Sequence, residues 1–185
     1  MIKYKRYKID SPSYISVGPL GIQPDYKQQC INEIYRLGDS MKGRSNVQAA
    51  MSTWQIWNES NVFNQIFDFA TKVVIQEYVY DERSIINLHS AWSAVYKKGN
   101  YTKNHNHEPC WMSFVYYLQA SGETPLIFEG NQVTEHKPFT VKPEDDTLVL
   151  FPAYMRHKVP IHDSETDRIC LAGNFVMEVN DEKRK

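Results

Sequence analysis

The sequence predicts a mainly β protein whose helices are confined to its first half, an α+β chain in which two helices back a double-sheet jelly roll. Helical periodicity marks two segments before residue 81. After Asp81 the chain changes to short runs rich in Ile, Val, Tyr, Phe and Trp, separated by Gly, Pro, Asn and Asp clusters. Aromatic residues make up 13% of the chain, twelve tyrosines and four tryptophans among them, which suits a β-rich fold with a lined cavity.

Residues 1–23 and the adjoining Pro24 include Pro12, Gly18, Pro19 and Gly21. They read as an irregular or extended lead-in with one short edge strand. From Asp25, the positions Cys30, Ile31, Ile34 and Leu37 form one helical stripe, and Gly38 sits where a C-cap belongs, so a helix is expected over about 25–37. A polar stretch runs from Asp39 to Asn46. The second stripe, Val62, Phe63, Ile66, Phe67, Ala70, Val73 and Val74, predicts a helix capped by Ser60 or Asn61.

Eight strands are then expected: Ile85–Tyr96, Tyr101–His107, Cys110–Gln119, Pro125–Glu129, Phe139–Val141, Thr147–Phe151, His157–Val159 and Ile169–Val179. The closing NDEKRK has the composition of a solvated tail. At 185 residues the chain is read as one domain over 1–185. Residues 1–80 supply helical support and lead-in, 81–180 the β core and 181–185 the tail.

With 21 basic and 22 acidic side chains there is no broad cationic surface for nucleic acid. The opening MIKYKRYKID lacks the apolar run of a signal peptide, and no segment approaches a membrane span. A cytoplasmic protein is expected. Cys30, Cys110 and Cys170 form no CxxC pair and read as small apolar residues of a reducing compartment. The N-terminal helices could pair two subunits as a homodimer.

Four residues carry the chemistry: His105, His107, His157 and Arg168. On an extended strand residues 105 and 107 project to the same side, so two imidazoles can meet one ion. A third ligand from a distant strand would leave open positions for oxygen, water or a chelating cosubstrate. KNHNHEP alone is compatible with a polar surface loop, but here it is wedged between two strands. His157 could equally be a turn histidine, although DDTLVLFP delivers it from a buried strand. Arg168 either pairs at the rim with Asp167 or Glu165, or belongs to a cavity wall. Alternation puts Arg168, Cys170, Ala172 and Asn174 on one face, small and polar-tipped, and Ile169, Leu171, Gly173 and Phe175 on the other. A guanidinium on such a wall grips a carboxylate with two parallel hydrogen bonds. In CWMSFVYYL the same rule groups Trp111, Ser113, Val115 and Tyr117. Tyr117 could supply a phenol to that carboxylate, or be an ordinary half-buried strand tyrosine. Ser113 and Asn174 are further candidates for contact with a cosubstrate.

The stretches YKKGNYTKNHNH, FVYYLQ, SGETPLIF, LVLFPAYMRHKVP and DRICLAGNF, in this order, resemble the double-stranded β-helix (cupin-like jelly roll) oxygenases that use Fe(II) and 2-oxoglutarate. The resemblance runs from about Trp92 to Phe175 and is to the prolyl-hydroxylase-like branch. It is nearest to the small oxygenases of bacteria and tailed phages, in which an HxH followed by proline and a VYYL strand also occurs. It implies His105 and His157 as iron ligands, Arg168 as partner of the cosubstrate's distal carboxylate, Tyr117 as its helper and Tyr96 as a pocket wall. His107 stands where most of that superfamily has aspartate or glutamate. As a neutral third ligand it would leave the metal site more positive by one charge.

The expected activity is that of an Fe(II)- and 2-oxoglutarate-dependent dioxygenase, most simply a hydroxylase. Its substrate could be a protein side chain, a nucleobase or a small molecule. The rivals are a cupin-like three-histidine metalloenzyme that does not use 2-oxoglutarate, and a jelly-roll binding module without catalysis.

Overall fold

The computed structural model describes residues 5–9, 13–41, 45–79, 83–121, 124–130 and 137–179; the expected tail lies outside them. The chain is mainly β, with two α-helices and two sheets whose strands pair antiparallel. The larger sheet has seven strands. In chain order they are β1 (Lys5–Ile9), β2 (Ser13–Pro19), β4 (Ala50–Met51), β5 (Ser84–Tyr96), β7 (Met112–Gln119), β10 (Thr147–Pro152) and β12 (Arg168–Val179). Their spatial order is β1-β2-β10-β7-β12-β5-β4. The smaller sheet holds β3 (Val47–Gln48), β6 (Tyr101–His105), β8 (Leu126–Phe128), β9 (Phe139–Val141) and β11 (His157–Val159), in the order β3-β6-β11-β8-β9.

The lead-in holds more structure than expected. Instead of one edge strand, β1 and β2 pair as a ladder from Lys5↔Val17 to Ile9↔Ser13, and β2 continues onto β10. The acidic turn before β10 fixes this junction. Asp146, at φ 61°, accepts hydrogen bonds from the backbone N–H groups of Gly21 (2.9 Å) and Ile22 (3.1 Å) and from the Tyr116 hydroxyl (2.8 Å). One carboxylate thus ties the lead-in to a core strand.

Helix α1 spans Pro24–Leu37, with proline at its first turn and Gly38 closing it at φ 61°, its N–H donated to the Ile34 carbonyl. Both ends follow from the sequence, because proline needs no donor at N1 and glycine accepts positive φ. Helix α2 spans Asn64–Tyr78 and begins later than its apolar stripe suggests. Phe63 is its N-cap without a side-chain hydrogen bond. Ser60 instead accepts the Val62 N–H in the preceding turn (3.3 Å), so neither Ser60 nor Asn61 caps the helix. A short 3-10 turn over Ile56–Asn58 and the two-residue strands β3 and β4 occupy a region where the sequence shows no period.

The two sides of the large sheet face different cores. On one, α1 and α2 lay Cys30, Ile31, Ile34, Phe67, Ala70 and Val74 against Phe114, Leu171 and Phe175. On the other, Trp92, Tyr117, Val149, Phe151, Cys170 and Ala172 meet Val47, Leu126, Phe128, Val141 and Val159 of the small sheet. The expected alternation along β12 holds: Ile169, Leu171 and Phe175 face the helices, and Cys170 and Ala172 face the small sheet.

Gly173 lies where no side chain fits. A Cβ there would stand 2.5 Å from Phe114 Cε1 and 2.6 Å from the Ser90 carbonyl oxygen. The second contact is backbone and cannot swing aside, so Gly173→Ala should destabilise the fold by about 2–3 kcal/mol. A lowered urea midpoint at unchanged m-value would register it.

Candidate metal centre

His105 ends β6 and pairs directly across from His157 on β11. The pairing shifts within two residues, with Thr102 opposite Val159, so three steps on β6 match two on β11. This bulge turns both Thr102 and His105 into the space between the sheets, which strict alternation would forbid. His107 is not on the strand as expected. β6 stops at His105, and His107 lies in the following turn, its N–H donated to the Ala153 carbonyl (2.8 Å) while its own carbonyl accepts the Cys110 N–H (2.9 Å). The turn nonetheless brings the ring back beside its partners.

The three imidazoles offer one ligand atom each, all within 4.8 Å of one another. Ring centroids are 4.8 Å apart for His105 and His107, 4.3 Å for His105 and His157, and 5.0 Å for His107 and His157. The Nδ1 atoms of His105 and His157 sit 2.8 and 2.9 Å from the carbonyls of Lys103 and Met155. Donation there fixes the tautomer and leaves each Nε2 lone pair for a metal. Burial holds all three rings neutral. It lowers His105, pushes His107 down to about 3 with help from His105, and places His157 well below its ordinary value. Phe151 and Phe128 wall His157 at 4.8 and 5.8 Å, and Trp92 lies 5.7 Å from His107.

A narrow cavity of ≈ 40 Å³ leads from the histidines between the sheets to Arg168. Arg168 is 1% exposed, so it is not a rim residue. The alternative partners are engaged elsewhere: Asp167 accepts the Tyr35 hydroxyl (2.8 Å), and Glu165 meets Lys98. Register sets Tyr96 directly opposite Arg168, and Cys170, two residues on, opposite Tyr117. The guanidinium donates to the Thr124 carbonyl (3.0 Å) and the Tyr117 hydroxyl (2.9 Å), and lies 4.8 Å from the Tyr117 ring centre and 5.4 Å from that of Tyr96. Its Nε has no partner. Among the described residues no carboxylate pairs with this buried cation, which costs free energy until an anion arrives. The Tyr96 hydroxyl is hydrogen-bonded to that of Thr102 (2.6 Å).

Ser113 and Asn174 point to the expected side but do not line this cavity. They satisfy each other instead: Ser113 Oγ donates to Asn174 Oδ1 (2.8 Å), and Asn174 Nδ2 donates to Ser90 Oγ (3.0 Å). Periodicity gives the face, not the depth; Asn174 is six residues beyond Arg168, about 20 Å along an extended strand. Ser113→Ala should therefore cost about 1–3 kcal/mol of stability by orphaning the Asn174 carbonyl. Affinity for anything bound at Arg168 should not change, which a paired melt and titration would read.

The sequence pattern does not mark Trp54, Trp92 and Thr102 as site residues, yet all three border the site. Trp92 lines both the cavity and an outer groove of ≈ 420 Å³, which Ser45, Asn46, Trp54, Lys103 and Asn106 also border. Trp54 stands edge-on to Trp92 at 4.8 Å. Its carbonyl accepts the Ala91 N–H (2.9 Å), so the segment is anchored to β5. The clustered tryptophans of MSTWQIW were the available signal.

Residues 90–174 match a family model described as "Putative 2OG-Fe(II) oxygenase". No curated protein matches the chain significantly. Among solved structures, the viral collagen prolyl hydroxylase of Paramecium Bursaria Chlorella virus-1, in complex with 2OG, aligns with a TM-score of 0.66 at 16% identity, covering 91% of this chain and 98% of that one. A Pseudomonas putida prolyl-4-hydroxylase gives 0.64 at 16% identity over 88% and 91%. The epimerase SnoN of nogalamycin biosynthesis gives 0.70 at 11% over 96% and 83%. At these identities the structures establish a shared fold. The family match runs from Ser90 to Asn174, with the three histidines and Arg168 inside it, so this stretch of the chain is similar to the 2OG-Fe(II) oxygenases.

Proposed function

We propose that this chain is an Fe(II)- and 2-oxoglutarate-dependent dioxygenase acting as a hydroxylase, with its two sheets forming a double-stranded β-helix. His105, His107 and His157 hold the metal, and Arg168 with Tyr117 receives the distal carboxylate of 2-oxoglutarate. The observation that carries this reading is Arg168 itself, buried, with an unpartnered Nε and facing the far end of a cavity that opens on three neutral histidines. A dicarboxylate spans such a cavity from metal to guanidinium.

When bound, iron and cosubstrate together supply the oxidising chemistry that leaves succinate and carbon dioxide. The protein's part is positioning. The backbone carbonyls of Lys103 and Met155 aim the Nε2 atoms of His105 and His157. Arg168 presents N–H groups to the carboxylate, and Tyr117 adds its hydroxyl. Tyr96, Leu126, Val159 and Cys170 exclude water around the aliphatic stem. Substrate reaches the metal through the outer groove, across Trp54 and Trp92.

Succinate formed from 2-oxoglutarate by metal-free protein, with and without added Fe(II), tests the reading. Iron-dependent succinate is the expected result. Stoichiometric iron binding together with no detectable binding of 2-oxoglutarate would reject it in favour of a three-histidine metalloenzyme.

A further inference from the structure

The ligand set contains no carboxylate. The cluster able to hold a metal comprises three imidazoles and, among the described residues, neither a carboxylate nor a thiolate. Two acidic side chains among the described residues, Glu108 and Glu129, are engaged elsewhere. Glu108 accepts from Asn106 Nδ2 at 2.7 Å. Glu129 accepts from Lys158 Nζ at 3.0 Å and from Asn104 Nδ2. His107 has its N–H tied to Ala153 and its ring set between Trp92 at 5.7 Å and Phe151 at 6.4 Å.

We propose that the imidazole at position 107 makes this centre selective among metals, favouring Fe(II), Co(II), Ni(II) and Zn(II) and discriminating against Mn(II). This rests on the reading of the triad as a metal centre. Imidazole nitrogen suits iron, nickel, copper and zinc, whereas manganese gains most from charged oxygen ligands, and manganese stands lowest in the divalent series to begin with. Three neutral donors leave the ion's charge uncompensated. The loss falls hardest on the ion that draws least from covalency with nitrogen. A carboxylate at position 107 would restore both the oxygen donor and the negative charge.

The test is calorimetric titration of the metal-free full chain with Mn(II), Co(II) and Zn(II), on wild type and on the His107→Asp and His107→Glu variants. The two side-chain lengths guard against one failing to reach the ion or to fold. The visible absorption of bound Co(II) reports independently on coordination. Wild type should bind Co(II) and Zn(II) at one ion per chain, and the Co(II)-to-Mn(II) affinity ratio should fall by about tenfold or more in at least one carboxylate variant. A ratio within about twofold of wild type in both folded variants, with Co(II) spectra showing the metal in place, overturns the selectivity proposal and leaves the metal centre standing. Absence of one-to-one Co(II) and Zn(II) binding in wild type overturns the metal reading itself, and the selectivity with it.

Discussion

Under the proposed function His157→Ala protein should form no iron-dependent succinate, because it loses a buried imidazole whose Nε2 lone pair is left for a metal. Its Nδ1 is hydrogen-bonded to the Met155 carbonyl and its ring is walled by Phe151 and Phe128. A water in its place would lack the fixed support that the ring has. Disturbing a mere supporting partner of a ligand commonly costs 10- to 100-fold in metal affinity, so deleting the ligand should cost at least about 100-fold. The substitution also orphans the Met155 carbonyl, at about 1–3 kcal/mol. A thermal melt therefore accompanies the metal titration. A folded variant that keeps wild-type iron affinity and turnover would remove His157 from the centre.

Arg168→Met separates the cosubstrate role from the fold. Methionine replaces much of the stem while deleting the charge, for which no described carboxylate is the partner. Removing an uncompensated buried cation tends to be neutral or stabilising for the empty protein, offset by the lost bonds to the Thr124 carbonyl and the Tyr117 hydroxyl. Cosubstrate binding should suffer much more. A hydrogen bond to a charged group contributes about 1.5–3 kcal/mol, so the KM for 2-oxoglutarate should rise by about 10- to 100-fold. Metal affinity without cosubstrate should stay put. Wild type should gain thermal stability when 2-oxoglutarate is added, through ligand linkage, and the variant should not. A drop in kcat at unchanged KM would assign Arg168 a different task.

Much of this site was legible because alternation holds along β12. Arg168, Cys170 and Ala172 could be placed on a cavity wall from spacing alone, and the helix ends at Pro24 and Gly38 follow from the backbone chemistry of those two residues. Other features have no local signature. The strands Val47–Gln48 and Ala50–Met51 are too short to show a period and exist through their neighbours Thr102 and Tyr101, and Val95 and Ala94. Depth along a strand is equally silent, which is why Ser113 and Asn174 face the expected way yet bond to each other beyond the cavity. For His107 the arithmetic of alternation reached a correct neighbourhood by an incorrect route. The strand has ended by then, and a backbone bond to Ala153 returns the ring to the centre.

The irregular pairing between β6 and β11 absorbs one more residue than a regular ladder needs. Three steps apart, Thr102 and His105 share a side because one extra residue is absorbed between them. Removing Lys103 would leave two steps between Thr102 and His105, matching the two between Val159 and His157, so the ladder would become regular and both side chains would still share the inner side. Two or three steps between these positions therefore present the same pair of side chains inward, and the bulge is what makes the longer spacing possible.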